Sequence, residues 1–221
     1  QRFGVLQKEK LKHLRLVVDV LTLSATPIPR TLYMSLMGAR EISIINTPPQ
    51  DRVPIKTCVC EYSNELVKQA LEFEVKRSGQ AYFVHNRILD IDKVKEKIEK
   101  ILPAVKFGLA HGRMSGCELE VVMLNFIKGK IDVLISTAII ESGIDIPNAN
   151  TLIVNEAQDF GLADLHQLRG RVGRFKKQAF AYFLIPKGFT LTEDSRLRLK
   201  AIEKFAELGA GFKIAMEDLE I

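Results

Sequence analysis

Cysteine is scarce in this sequence, and its placement excludes most of the chemistry that cysteines support. Cys58, Cys60 and Cys117 are an odd number and include no C-x-x-C pair. A metal site would need histidine or further cysteine nearby, and none is close in the sequence. We therefore expect no metal ligands here and interpret the three residues as reduced, mostly buried thiols.

Long apolar runs are also missing. No stretch of about 18 apolar residues occurs, which excludes a transmembrane helix of ordinary length. The first residues, QRFGVLQKEKLKHLRL, carry too many charges for a signal peptide. We therefore expect a cytoplasmic location and no membrane partner.

A large excess of one charge and a phosphate-binding loop are absent as well. The formal net charge is only +5, so a nucleic-acid or nucleotide partner is compatible with the composition but not required by it. No G-x-x-x-x-G-K-[ST] motif occurs, which argues against a self-sufficient nucleotide-hydrolysing enzyme. Hydrophobic residues make up 47% of the chain, which is enough for a sizeable core.

The sequence alternates between β-rich runs and amphipathic helices. Short apolar runs predict a strand in VKFGLAHG and further strands at 18–25, 41–46, 80–86, 132–137, 151–156 and 179–185. Helical patterns between strands predict βαβ crossovers. We therefore predict an α/β fold, a parallel sheet with helices on both faces. Three prolines in TPPQDRVP (47–54) indicate a linker or domain boundary.

Five helices are predicted from the spacing of apolar residues. NELVKQALEFEVKRSG is typical of a helix closed by Gly79, and DIDKVKEKIEKIL places its apolar residues on one face. SGCELEVVMLNFIKGK begins with Ser115 and Glu118 at the spacing of a capping box. LADLHQL predicts a shorter helix, and a last one is predicted from about residue 192 to residue 208.

Ligands of parallel sheets bind beyond the carboxyl ends of the strands. The loop after the first predicted strand, LSATPIPRT, carries the hydroxyls of Ser24 and Thr26 among stiffening prolines. It is either a loop that relays a change between ligands or an ordinary proline turn. The same rule points to the loops after Ala25, Asn86, Ala110, Thr137 and Glu156.

The loop after Ala110 holds His111 and Arg113 just before the capped helix. Free N–H groups and the helix dipole favour an anion at a helix start, so this is a candidate phosphate site. A single histidine is more often a loop or core residue than a catalyst, and no nucleophile arrangement surrounds this one. The residues alone leave both interpretations open.

Two further segments place polar residues in unusual settings. In STAIIESGIDIP (136–147), Asp145 follows Gly143 and stands between two isoleucines. It either contacts a ribose or a cation, or belongs to a simple Gly-Asp turn. In HQLRGRVGR (166–174), glycines that permit close approach flank Arg171 and Arg174, whose planar guanidinium groups match phosphate oxygens. A solvated basic turn is the alternative.

The run QLRGRVGR also predicts neither a good helix nor a core segment. Glycine loses more backbone entropy than other residues on folding, and arginine avoids burial. All three arginines, Arg169, Arg171 and Arg174, are therefore candidates to meet a negatively charged group outside the core.

Together these stretches resemble the superfamily 2 nucleic-acid translocases. LSATPIPRT is similar to motif III and STAIIESGIDIP to motif V, and QLRGRVGR fits the motif VI pattern Q-x-x-G-R-x-x-R at every fixed position. ATPIPRTL, ESGIDIPNANTLIV and FGLADLHQLRGRVGR resemble the bacterial branch-migration helicases and the transcription-repair coupling factors. IINTPPQDRVPIKT and AQDFGLADLHQLRGRVGR favour the coupling factors. The resemblance covers essentially the whole chain.

The resemblance implies a motor of two RecA-like domains with ATP and Mg²⁺ in the cleft between them. Residues 1–46 would be the tail of the first domain, 47–51 a linker and 52–221 the second domain. Arg171 and Arg174 correspond to arginine fingers that reach the phosphates of ATP on the other domain, and Gln167 would support that contact.

The remaining site residues follow from the same resemblance. Gly143 and Asp145 would lie at the nucleotide edge. The residues that couple hydrolysis to DNA would be Ser24, Thr26 and Arg30. The residues that grip backbone phosphates without reading bases would be His111, Arg113 and Thr137. The implied partners are double-stranded DNA, the first RecA-like domain in cis, and RNA polymerase and excision-repair proteins through regions outside this chain.

Two departures from the family pattern limit what the chain can do alone. The P-loop and the acidic box of motif II are absent, and the chain stops at DLEI, where relatives continue. We therefore expect half of a motor, inactive as an ATPase by itself. Its expected function is ATP-driven DNA translocation that displaces stalled RNA polymerase and couples transcription to nucleotide excision repair. The alternatives are a branch-migration helicase of stalled replication forks and a non-enzymatic DNA-binding module.

Overall fold

The computed structural model describes residues 43, 45, 53–137, 146–174, 177–207 and 209–221. Within them, six strands form one sheet in the order β1-β6-β5-β2-β4-β3, and every neighbouring pair is parallel. The proposed first-domain tail (1–46), its strands and the linker (47–51) lie outside the described residues, apart from Ser43 and Ile45. The strands are β1 Lys56–Glu61, β2 Gln80–His85, β3 Phe107–Ala110, β4 Val133–Ser136, β5 Ala149–Asn155 and β6 Phe180–Ile185.

Helices cover both faces of the sheet, as the sequence predicts. Two helices share an apolar core with one face, and four share a second core with the other face. None of the helices among the described residues is long and apolar enough to cross a membrane. The first two helices are α1 Asn64–Lys76 and α2 Ile91–Ile101, and the other four are α3 Gly116–Ile127, α4 Leu162–Arg169, α5 Glu193–Lys204 and α6 Gly211–Glu220.

The centre of the sheet explains its uniformly apolar strands. All six residues of β2 are buried, because β5 and β4 pair with it on either side and helices cover both faces. Successive side chains of β2 enter opposite cores: Tyr82 contacts the ring of Phe126 on α3 at 5.2 Å between centroids, whereas Phe83 joins α1 and α2. The predicted stripe of α2 is confirmed by Ile91 and Ile98, which are fully buried.

The sequence placed some helix ends wrongly. The first helix ends at Lys76, and the left-handed residue after it is Ser78 (φ 58°), not Gly79. Gly79 is required for another reason, because a Cβ there would collide with the buried carboxylate of Glu74. Helix α5 ends at Lys204 rather than near residue 208, and α6 is absent from the helices predicted by apolar spacing.

The prediction of mostly buried cysteines is also wrong. Cys58 and Cys117 are exposed and Cys60 is half-buried. Strand β1 is an outer strand of the sheet, so its side chains are incompletely covered, and Cys117 lies in the solvent-facing first turn of α3. Burial, with the neighbouring Cys58 and Glu203, raises the pKa of the Cys60 thiol to about 12.

A buried ion pair ties α1 to the sheet near the starts of β2, β5 and β6. Glu74 is fully buried and accepts two hydrogen bonds from Arg77 and one from Thr151 Oγ1 on β5. Arg77 Nη1 also donates to the carbonyl of Gln178, just before β6, at 2.7 Å. The carboxylate is therefore satisfied within the fold, as burial of a charge requires.

Candidate functional site

Parallel strands give the sheet two different edges, and we call the one where strands end the carboxyl edge and the other the amino edge. The predicted site residues within the described part of the chain are Gln167, Arg171, Arg174, His111, Arg113 and Thr137. Those outside it are Ser24, Thr26, Arg30, Gly143 and Asp145.

His111 and Thr137 lie together at the carboxyl edge. They follow β3 and β4, which pair with Ala110 opposite Ser136, and Thr137 N donates to the Ala110 carbonyl at 3.2 Å. Thr137 is buried (6% exposed), His111 is half-buried and Arg113 is exposed. The pairing of two strands thus brings together residues that are 26 positions apart in the sequence.

Two polar atoms beside this pair lack a partner. Among the described residues, His111 Nδ1 and Ser136 Oγ are buried side-chain atoms that make no hydrogen bond. Buried polar atoms are nearly always satisfied in native proteins, so each exception needs an explanation. Both atoms are suited to bonds with an oxyanion or with water.

The helix start beyond His111 is less open to an anion than the sequence predicts. Ser115 and Glu118 form the predicted capping box: Ser115 N donates to Glu118 Oε2 at 2.8 Å, and Glu118 N donates to Ser115 Oγ at 3.3 Å. The two hydrogen bonds that the Glu118 carboxylate accepts, from Ser115 N and from Ser115 Oγ at 2.8 Å, lower the pKa of Glu118. A carboxylate therefore already occupies the helix start, and an incoming phosphate would have to be held by His111 and Arg113 instead.

The arginine segment lies at the opposite edge of the sheet. Helix α4 follows β5 and returns the chain towards the start of β6, as a parallel crossover requires. The turn that follows α4 (residues 170–174), which we call the arginine turn, contacts the residues that precede β1 and β6. The strand-end rule therefore points to the edge where His111 and Thr137 lie, whereas Arg171 and Arg174 lie at the other edge.

The backbone of the arginine turn is pinned to the domain core. Val172 is fully buried, and Gly173 has a left-handed φ of 71°. A Cβ on Gly173 would lie 2.9 Å from Ile55 Cγ1 and 3.0 Å from Ala179 Cβ. The close approach that this glycine permits is thus to its own domain. Arg171, half-buried, and Arg174, exposed, flank this anchored pair.

Arg169 contradicts the expectation that all three arginines lie outside the core. It is the last residue of α4 and only 3% exposed. Its Nη1 donates to the carbonyl of Ile202 at 2.7 Å and its Nη2 to that of Phe205 at 2.6 Å. The negative partners of Arg169 are therefore carbonyl dipoles at the end of α5, and the run begins as a helix after all.

His166 completes this buried contact. Its Nδ1 lies 3.1 Å from Arg169 Nη2 and accepts a hydrogen bond from it. Burial, with the positive charge of Arg169, lowers the pKa of His166 to about 4, so the ring is neutral at pH 7. Burial lowers the pKa of Arg169 to about 10, which leaves the guanidinium charged.

An ion-pair cluster at the carboxyl edge escaped the sequence analysis. Arg87 Nη2, after β2, lies 3.0 Å from both Glu156 Oε2 and Asp159 Oδ2, after β5. Glu156 has a left-handed φ of 54°, which is uncommon for a residue other than glycine. The strand-end rule indicated these two loops, but residue types alone did not single out the members of the cluster.

A buried histidine joins the same two loops. Asn155 Nδ2 donates to His85 Nδ1 at 3.0 Å, which leaves Nε2 to donate to Asp90 Oδ1 at 2.9 Å. Burial opposes ionisation of Asp90, but the hydrogen bond from His85 and the nearby charge of Arg87 outweigh it and lower the pKa of Asp90. These contacts fix the loop after β2 against β5.

The described residues contain no group of three or more His, Cys, Asp or Glu side chains that could hold a metal ion. What the arrangement offers instead is two separate sets of candidate phosphate-binding side chains on opposite edges of one sheet, His111 and Arg113 at the carboxyl edge and Arg171 and Arg174 at the amino edge. Each is carried by loops whose backbones are fixed by β pairing or by core packing.

Residues 62–176 match the family described as the helicase conserved C-terminal domain. The match covers more than half of the chain, which therefore belongs to this family of RecA-like α/β domains. All 221 residues align at 55% identity with the transcription-repair-coupling factor of Bacillus subtilis (strain 168), and at 56% with that of Myxococcus xanthus. The chain spans 19% and 18% of those proteins, about a fifth of their length.

Solved structures agree with this assignment. RecG bound to a three-way DNA junction superposes with a TM-score of 0.72 at 38% identity, covering 91% of this chain and 27% of RecG. S. cerevisiae Dbp5 bound to RNA and ADP BeF3 gives a TM-score of 0.61 over 99% of this chain and 60% of Dbp5. At 18% identity, the second similarity supports the fold alone. The predicted resemblance to the coupling factors, with RecG as the runner-up, is confirmed.

Proposed function

We propose that this chain supplies the second RecA-like domain of an ATP-driven double-stranded DNA translocase that displaces stalled RNA polymerase and couples transcription to nucleotide excision repair. Residues 52–221 would form that domain, and residues 1–46 the tail of the first. The proposal is supported by the similarity of all 221 residues of this chain to about a fifth of the transcription-repair-coupling factors. RNA polymerase and repair proteins would bind regions outside this chain.

The arginine turn is the observation that carries the proposal. An arginine finger must keep its backbone fixed while its side chain reaches a phosphate on another domain. Val172 and Gly173 anchor the turn in the core, and Arg171 and Arg174 flank that anchor. Gln167, on the last full turn of α4, would support the contact.

The residues present suit the phosphates of ATP but not its metal ion. Guanidinium groups pair with phosphate oxygens through two parallel hydrogen bonds. Mg²⁺ prefers carboxylate and water oxygens, and the described residues offer no cluster of acidic ligands for it. ATP and Mg²⁺ would therefore be held mainly by the first RecA-like domain, and this chain alone would bind neither tightly. Gly143 and Asp145 would complete the nucleotide side.

DNA would bind at the carboxyl edge, away from the arginine turn. His111, Arg113 and Thr137 would contact backbone phosphates, and the unpartnered Nδ1 of His111 supports this role. Ser24, Thr26 and Arg30 would couple that contact to hydrolysis. The DNA-contacting residues and the arginine turn lie on opposite edges of the sheet. This placement fits a motor in which one domain contacts both ATP and DNA.

The first test compares this chain with a longer one that includes the upstream P-loop. We expect essentially no DNA-stimulated ATP hydrolysis from the 221 residues and robust turnover from the longer chain. Hydrolysis by the 221 residues themselves would contradict the assignment of half a motor.

The second test removes a finger in the longer chain. Arg171→Ala should lower kcat strongly, because arginine fingers contribute about 10³–10⁵-fold to nucleotide hydrolysis. Folding and DNA binding should stay nearly unchanged. Arg196→Ala is the matched control, since Arg196 is exposed on α5 and pairs with Glu193. A loss below about tenfold for Arg171→Ala would exclude Arg171 as the finger.

A branch-migration helicase of stalled forks is the second candidate, favoured by the similarity to RecG. The two can be separated with the longer chain on two substrates. The coupling factor should displace a stalled RNA polymerase, whereas the fork helicase should act on a three-way junction without polymerase.

A further inference from the structure

We propose that Arg169 is a positioning residue for motif VI, which fixes the arginine turn by binding the end of α4 to the end of α5. The proposal rests on the proposed function, because it assumes that Arg171 faces the phosphates of ATP. Nothing in the motif VI pattern Q-x-x-G-R-x-x-R requires an arginine at position 169.

Arg169 is the residue at which α4 ends and the arginine turn begins. It is the last residue of α4, and Gly170 begins the arginine turn directly after it. The carbonyl of Arg169 also accepts the N–H of Val172 at 3.3 Å, and Arg171 N donates to the Leu168 carbonyl at 3.0 Å. A displacement of Arg169 would therefore move the backbone that carries Arg171.

The chemistry at the end of α5 explains why an arginine is needed. The last carbonyls of a helix have no partner within it and form the negative end of its dipole. The guanidinium of Arg169 spans two of these groups, the carbonyls of Ile202 and Phe205, at 2.7 and 2.6 Å. A lysine has one ammonium group and cannot reproduce this forked geometry.

The bonds from Arg169 to the end of α5 also connect the arginine turn to the C-terminal helices. Leu165 and Leu168 on α4 share one apolar core with Ile202 on α5 and Ile214 on α6. Helices α5 and α6 lie beyond the segment that matches the helicase family, which ends at residue 176. The orientation of the arginine turn thus depends on helices that lie outside the family motifs.

A second arginine provides a matched control. Arg198 on α5 donates from Nη1 to the carbonyl of Phe160 at 2.8 Å, just before the start of α4. It therefore holds the other end of α4 to α5 through the same type of bond. Loss of Arg198 should disturb α4 at the end farther from the arginine turn.

The experiment measures kcat, KM for ATP and the melting temperature of the longer, P-loop-containing chain with Arg169→Gln, Arg169→Lys and Arg198→Gln. Arg169→Gln should lower kcat about 10- to 100-fold with KM within about threefold, because a misplacement of about 1 Å can cost 10²-fold in rate. Arg198→Gln should lower the melting temperature comparably but leave kcat within about threefold of wild type. Arg169→Lys should fall between wild type and Arg169→Gln.

Two results would overturn the proposal. One is an unchanged kcat for Arg169→Gln in a preparation where Arg171→Ala is inactive. The other is an equal loss of kcat for Arg169→Gln and Arg198→Gln, which would reduce Arg169 to general support of the fold. If Arg169→Gln does not fold, the same comparison is made with Arg169→Lys and Arg198→Lys. Full activity of Arg171→Ala would instead exclude Arg171 as the finger and overturn this proposal with it, whereas the proposed function is overturned only by the comparison of the 221-residue chain with the longer one.

Discussion

Arg169, Arg171 and Arg174 stand within six residues of one another, yet they meet different surroundings. Arg169 is buried against helix carbonyls and a neutral histidine, whereas Arg174 is exposed. The difference follows from their positions, because Arg169 still belongs to α4 and faces α5, and the other two follow its end. A run of like charges can thus combine a buried structural member with members that lie outside the core.

The neutral His166 predicts a pH dependence of stability. Its pKa is about 4 in the fold and near 6.5 in an unfolded chain, so the unfolded state binds the proton first as the pH falls. The contribution is fully present above pH 6.5 and is lost between 6.5 and 4, by about 3 kcal/mol in total. Urea unfolding from pH 7.5 to 4.5 measures it.

The control for that measurement is His166→Asn, whose side-chain oxygen can accept from Arg169 but cannot titrate. Wild type should lose more stability than His166→Asn over the same pH range, because all other titrating groups are common to both. Parallel curves for the two proteins would contradict the burial-induced shift of His166.

Gly173 supports a second prediction at this scale. A residue with a Cβ loses roughly 1–2 kcal/mol of stability in a left-handed conformation. Gly173→Ala should lower the free energy of unfolding by more than that, because the added Cβ would also press on Ile55 and Ala179. Gly129→Ala is the control, with a similar φ of 68° and no atom within 4 Å of the added Cβ. Equal free energies of unfolding for Gly173→Ala and Gly129→Ala would contradict the predicted clash of the added Cβ with Ile55 and Ala179.

Among the elements, α3 is the one whose start the sequence predicts in detail. Ser115→Ala should lower the free energy of unfolding by about 1 kcal/mol, since it removes the capping bond to Glu118 N. Ser63 occupies the same cap position before α1 but makes no side-chain capping bond. Ser63→Ala should therefore change stability by less than half as much in the same denaturation experiment, and the reverse order would contradict the assigned capping box.

Local patterns predict elements well and the contacts between them poorly. The capping box at Ser115 and the stripe of α2 depend on residues three or four apart, so the sequence displays them directly. The role of Gly79 depends on the buried Glu74, and the end of α5 lies where Arg169 binds its carbonyls. Such long-range partners have no signature in a single sequence.

The same limit applies to the whole molecule. Alternating strands and helices predicted the parallel sheet, because each crossover needs a helix of suitable length. The strand order was not predicted, and so nothing in the sequence indicated that the arginine turn contacts Ile55 and Ala179 at the amino edge. Only the three-dimensional path of α4 shows that the two sets of predicted site residues lie apart.

The charge distribution predicts how the 221-residue chain binds DNA. Affinity should be weak, fall steeply with salt and be the same for duplexes of equal length and different sequence. Arg113→Ala should reduce the slope of log K against log[salt] by about 1, because one phosphate contact is lost. Lys76→Ala removes the same charge from the exposed end of α1 and should leave the slope unchanged. Equal slopes for Arg113→Ala and wild type would exclude Arg113 from the interface.

The pairing of β1 with β6 has a consequence for synthesis on the ribosome. Lys56 pairs with Phe180, so the first strand of the sheet must wait for a partner made more than 100 residues later. At about 5–20 residues per second, that delay is roughly 6 to 25 s. In the described sheet only β3 with β4, and β5 with β6, join strands consecutive in the chain. Within the described sheet, β1 is therefore the first strand to leave the ribosome and among the last to be ordered.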